Sequence, residues 1–396
     1  MSKRIRNKTA KFELEPDGFS IHTFELWQQL THVEYQAIRE FLYSKNKSGK
    51  KVCTYPNDWQ NIVSSAFSDH GVGITLEDSD GRDNKHRLYG IRIFVSPRRL
   101  IDPGTSYLGI LPPSKEFVDK LAKKFQKLLK DTPIPKDIDD YTVTRVDLCT
   151  NIRCNYPKLC RELVRVIRKL PTPPKYERKF RKRDTDGLSK EKRKAIRKED
   201  NEYNKHYFKV SCGSRDLVIY DKGYQITAEG LEEIGYEKLS NGVLRFECRY
   251  KRDILRDMEK DNDIGSCTDL LKFLIANSEP LLTGAFSMYF AEEPFCRFDE
   301  IERQIKNSAY RLDTQRLMVE FSERLRRGQI MDNVFKRMEK DGWEFDRKEL
   351  LDRFQKLGIN PIPLWNNFCA EQLPSPIALL KGISDGKIKV DYVVIK

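Results

Sequence analysis

The chain is short of metal-binding and disulfide patterns. Its five histidines (22, 32, 70, 86, 206) form no HxH or HExxH pair, so no histidine-built metal site is legible. Nine cysteines, an odd number, include no CxxC pair, and Cys149 in VDLCTN and Cys248 in RFECRY sit among core-type neighbours. Buried free thiols in a reducing compartment are expected, not disulfides. No stretch approaches the ~20 apolar residues of a membrane span. The basic start, MSKRIRNKTAKFELEPDGFS, has no apolar run behind it to act as a secretory signal. The expectation is a cytoplasmic protein with no membrane partner.

What the chain has in excess is positive charge. Its 396 residues carry 73 Lys+Arg against 60 Asp+Glu, a net +13, which points to an anionic partner. At 39% hydrophobic residues the chain is too apolar to be disordered, and its length suits two or three folded units. The surplus is concentrated: residues 175–198 hold twelve Lys/Arg and four Asp/Glu, a net of +8. Such a segment reads either as a solvated connector or as a phosphate-contacting arm, with Arg178, Lys179, Arg181, Lys182 and Arg183 as its DNA contacts and Arg215 nearby.

Periodicity predicts an α+β chain. Strand-like runs at 20–29, 71–77, 87–96 and 141–152 alternate with amphipathic helices opening at Thr31 and Ser114, the order of a split βαβ, ferredoxin-like (RRM- or palm-like) unit. A second pass follows: a helix at 156–170, strands at 206–212 and 216–222, a short helix near 228–234, and a strand at 242–252. A duplicated antiparallel sheet is therefore expected. Beyond residue 253 the pattern turns helical. The division predicted is 1–138 as an N-terminal α+β half, 139–256 as an α+β core carrying the insertion 175–198, and 257–396 as a helical region.

Three strand-like segments carry charge where apolar residues belong. On a strand, residues i and i+2 share a face, so Arg145 stands beside Asp147, Arg245 beside Glu247, and Tyr220 beside Lys222. If the strands are neighbours, one face collects two carboxylates, a phenol and three cations, a set suited to metal-assisted phosphoryl transfer. Exposed salt bridges would give the same pattern without function.

TRVDLCTN, GSRDLVIYDKGYQ and LRFECRYKR, in that order, resemble the motif series of the replication initiation factor family, the rolling-circle Rep proteins and related relaxases of conjugative elements. The resemblance covers 141–252; Ser211 stands where many members have an aromatic residue. It implies a nicking-closing endonuclease in which a tyrosine keeps the 5′ phosphate as a phosphotyrosyl ester. Carried over, Tyr220 is the nucleophile, with Tyr207 and Tyr224 as competitors. Asp147 and Glu247 are ligands of Mg²⁺ or Mn²⁺, and Arg145, Arg245 and Lys222 contact the phosphate. The implied partners are origin DNA, single-stranded or cruciform, and a host helicase; a dimer stays open. A different reading is a non-enzymatic binding protein that stacks bases on Tyr207, Phe208 and Phe246.

Overall fold

The computed structural model describes residues 5–47, 54–56, 61–80, 87–103, 109–228, 230, 240–383 and 386–395. Thirteen strands and fourteen α-helices occur among them. The strands are β1 (Ile5–Leu30), β2 (Thr54–Pro56), β3 (Ile62–Phe67), β4 (Val72–Asp80), β5 (Arg87–Val95), β6 (Thr142–Cys154), β7 (Glu177–Arg178), β8 (Tyr207–Ser211), β9 (Arg215–Asp221), β10 (Val243–Lys251), β11 (Phe295–Cys296), β12 (Gln372–Leu373) and β13 (Ile388–Ile395). Eleven of them form one antiparallel sheet in the order β2-β3-β4-β5-β1-β6-β10-β9-β8-β7, with β13 pairing the first residues of β1.

Alternation decides the two faces of this sheet. In β6, Val146, Leu148, Ile152 and Cys154 enter the hydrophobic core, and Arg145, Asp147, Cys149, Asn151 and Arg153 take the other face. β10 repeats the division, with Leu244, Phe246, Cys248 and Tyr250 in the core and Arg245, Glu247, Arg249 and Lys251 opposite. Helices cover the apolar face. The helix Lys115–Leu129 buries Val118, Leu121, Phe125 and Leu129, spaced by three and four residues as one helical stripe requires. Each such side chain, fully buried, contributes ~1.5–3 kcal/mol.

β1 is the spine of the sheet. It pairs with β13 through residues 5–12, with β6 through 12–27 and with β5 through 24–30, so one sheet joins strands from both sides of the boundary expected at 138/139. The register shifts between Leu14 and Phe19, where Pro16 and Gly18 (φ 63°) turn the strand, and again between Ile21 and Thr23. That second shift leaves His22 as the extra residue of a bulge.

The two passes are not copies. The first has the order β4-β5-β1-β6, with the closing strand β6 beside the opening strand β1; in the second, β10 inserts between β6 and β9. Consecutive antiparallel strands pair with each other by default, and β9 with β10 do so over seven residues, so the second pass does not repeat the strand order of the first, and both passes lie in one large sheet. The short helix expected near 228–234 lies mostly outside the described residues; a helix covers Lys222–Ala228.

The region after Arg252 is mostly helical, as expected, but ends in β13, which the helical pattern around it hid. No described helix is long and apolar enough to cross a membrane.

Gly242, at φ 79°, leads into β10, and a Cβ there would stand 2.3 Å from the Cys154 carbonyl oxygen, whose residue also donates its N–H to Gly242 O at 2.8 Å. Gly242→Ala is expected to cost about 3 kcal/mol or more, read as a lower urea midpoint at unchanged slope. An unchanged midpoint would refute the close approach.

Candidate metal centre on the polar sheet face

Asp147 and Glu247 are brought together by strand pairing. The register sets Asp147 opposite Arg249 and Cys149 opposite Glu247, so the two carboxylates are diagonal neighbours on one face. β1 adds the third member: Thr23, opposite Asp147, donates its hydroxyl to Asp147 Oδ2 at 2.7 Å, and the bulge turns the preceding His22 to the same point. One ligand atom from each of His22, Asp147 and Glu247 lies within 4.8 Å of the others, so this group can hold a metal ion. The donor set fits such an ion. His22 Nδ1 is buried without a hydrogen-bond partner and faces Glu247 Oε2 at 3.5 Å. Burial, then the Arg245 guanidinium beside it, lowers the imidazole pKa to about 3, so the ring is neutral. No histidine pair was legible in the sequence; the structure sets His22 beside the two carboxylates.

Arginines balance the carboxylates. Arg145 clasps Asp147 through Nε (2.8 Å) and Nη2 (2.6 Å) and reaches Glu25 with Nη1 at 2.6 Å. Arg249 Nε lies 2.9 Å from Glu247 Oε1 and 3.4 Å from Asp147 Oδ2, bridging the two. Burial pushes Asp147 above the usual carboxylate range, with the Glu247 charge adding to it, against the pull of Arg145. Glu247 is desolvated too, but Arg249 and His22 hold it well below. Two adjacent buried carboxylates with opposite shifts mark a site where charge is concentrated.

Tyr220, on β9, donates its hydroxyl to Glu247 Oε2 at 3.4 Å and is buried. Burial drives its phenol well above the usual range, and Arg245 draws it back. Arg245 is itself fully buried, donating to Asn151 Oδ1 and meeting His22 Nε2, each at 2.8 Å. Lys222 holds Nζ 5.8 Å from the Tyr220 ring centre and donates to Gln225 Oε1. The structure thus gathers Arg145, Asp147, Tyr220, Lys222, Arg245 and Glu247 around one point. Tyr207 pairs with Tyr220 across β8 and β9, with ring centres 6.0 Å apart, and is half-exposed. Tyr224 instead stacks on His206 at 3.7 Å.

The basic segment divides by direction. Arg178 turns inward: its guanidinium donates to the carbonyls of Arg168 and Leu170 and lies over Phe208, which removes it from the exposed cations. Arg215 likewise lies over the buried Tyr250 ring, on the core face, because alternation along β9 points it away from Tyr220. Arg183 is held by Asp200 and Glu199. Lys179, paired with Glu177, and Lys182 are exposed. Arg181 stacks over Tyr203 at 4.3 Å. Lys179, Phe180, Arg181, Tyr203, Tyr207 and Lys209 line an open cleft of about 290 Å³. Phe208 and Phe246, expected as base-stacking rings, are buried on the core face and present no surface.

No protein-family model matches the chain, and neither a curated protein nor a solved structure does. The resemblance to replication initiators therefore stands on the three motifs alone. His22 is the residue that sequence reasoning missed. The strand 20–29 is visible in the alternation, but nothing in it signals that a bulge turns His22 toward a carboxylate pair far along the chain.

Proposed function

We propose that the chain is a metal-dependent DNA nicking-closing enzyme, a rolling-circle replication initiator or the relaxase of a conjugative element, acting on single-stranded DNA. The observation that carries this reading is the convergence of His22, Asp147 and Glu247 with the Tyr220 hydroxyl. A divalent cation held by those three residues supplies Lewis acidity to the scissile phosphate. Two oxygen donors favour Mg²⁺ or Mn²⁺, and the single nitrogen tilts the choice to Mn²⁺.

The phenol oxygen of Tyr220 attacks phosphorus as its proton is lost to solvent. The bond from phosphorus to the 3′ oxygen breaks, and that oxygen leaves as a 3′ hydroxyl after taking a proton from solvent. The 5′ phosphate remains as a phosphotyrosyl ester, and the reverse attack rejoins the strand. Arg249, which bridges both carboxylates, would offer its guanidinium to the phosphate beside them. A second reading has its own support: Tyr207 is half-exposed and opens onto the cationic cleft, so a strand lying there meets it first.

The test is covalent. Full-length protein with Mn²⁺ and a random-sequence single-stranded DNA pool should give an adduct that survives denaturant and is absent when Mn²⁺ is chelated. No adduct under these conditions would favour a binding protein without chemistry.

The cleft carries a separate prediction. Lys179→Ala, Arg181→Ala and Lys182→Ala together should lower the slope of log K against log salt by about 2 for single strands, at ~0.7 for each phosphate no longer neutralised. Arg178→Ala should instead lower stability. An unchanged slope in the triple variant would remove the arm from the DNA path.

A further inference from the structure

We propose that a second pocket, beside the metal centre on the same sheet face, holds an unpaired base of the strand next to the scissile phosphate. The inference rests on the nicking reading for its substrate; its site joins residues of β3, β4 and β5 to three that border the metal centre. Glu25 stands opposite Arg145 on β6 and opposite Phe94 on β5, and Gly73 on β4 stands opposite Phe94, so the polar face continues from the metal centre onto β5 and β4. There it becomes an apolar floor. Val63, Gly73 and Phe94 line a cleft of about 450 Å³ that also reaches His22, Thr23 and Lys222. That size falls in the ~300–1,000 Å³ range of small-ligand pockets.

Three features define the occupant. The rings of Phe94 and Tyr55 are 38% and 52% exposed, where a solvent-facing aromatic supplies a stacking surface. The charged side chains of the lining are Arg99 and Lys222, with no carboxylate among the described lining residues, which suits a phosphate-linked chain and repels an acidic peptide. Hydroxyls of Ser65 and Ser96 offer both donors and acceptors for a base edge. The pocket shares His22, Thr23 and Lys222 with the catalytic surroundings, so a nucleotide seated in it is the immediate neighbour of the phosphate at the metal. The pocket thus gives the enzyme a base-reading element on the opposite side of the metal centre from the cleft at Tyr207.

Gly73 provides a clean probe. It lies in β4 without a positive φ, and a Cβ there meets only Phe94 Cβ, at 3.8 Å, so Gly73→Val is tolerated by the backbone and fills the pocket. The experiment uses full-length protein in Ca²⁺, where binding is read without cleavage, and ten-nucleotide thymidine strands carrying one 2-aminopurine at successive positions. One position should change fluorescence sharply on binding. Gly73→Val and Phe94→Ala should each abolish that change and weaken binding on the order of tenfold, while the triple variant in the basic arm weakens binding but keeps the change. If both pocket variants bind with the wild-type fluorescence profile, the pocket does not hold a base. If adenosine monophosphate alone competes as tightly as the strand, the site is one for free nucleotides and the strand assignment is overturned. The nicking reading fails separately, by absence of the covalent adduct in Mn²⁺.

Discussion

His22→Ala is expected to weaken Mn²⁺ binding by about 100-fold or more and to reduce covalent DNA adduct in proportion, with little loss of fold. The imidazole is one of three ligand-bearing side chains within 4.8 Å of one another, and removing even an outer-shell partner of a metal commonly costs 10–100-fold. The fold should survive because Arg245, which loses an acceptor at His22 Nε2, keeps its bond to Asn151. Titration calorimetry with Mn²⁺ measures the first effect and the denaturant-stable band the second. Asp147→Asn and Glu247→Gln keep shape while removing charge and should act in the same direction. Wild-type Mn²⁺ affinity in His22→Ala would show that the histidine lies beside the centre without serving it.

Tyr220→Phe should eliminate the adduct, a loss of at least ~10³-fold, while binding to single-stranded DNA stays within about twofold of wild type. The substitution removes one oxygen, which bonds Glu247 at 3.4 Å and meets the Arg245 guanidinium, and keeps the ring. Tyr207→Phe should leave the adduct in place. Peptide mapping of the phosphotyrosine decides between them, and an adduct on Tyr207 would move the chemistry one strand outward, to the residue already open to solvent. Tyr224, stacked on His206, should be dispensable for it.

The carboxylates and Tyr220 were legible for a local reason. Asp147, Tyr220 and Glu247 each sit in a strand-like run where alternation sets them on the face opposite their apolar neighbours. Their common face followed from spacing. That they are neighbours in space did not, because pairing partners are chosen by topology. The same limit explains the misread basic residues: Arg178 and Lys182 are equal in a charge count, yet one caps the carbonyls at the end of the helix Pro157–Ile167 and the other faces water.

The sequence by itself determined the α+β class, the strands that carry the charged pairs, and where the excess positive charge is concentrated, since alternation, helical spacing and composition are properties of neighbouring residues. Only the tertiary structure decided that one sheet replaces two, that β10 lies between β6 and β9, and that a bulge in β1 brings His22 to Asp147 and Glu247. Those are long-range choices, made by which strands pair and in what register. A shift of one residue in register would have turned any one of the three side chains into the core.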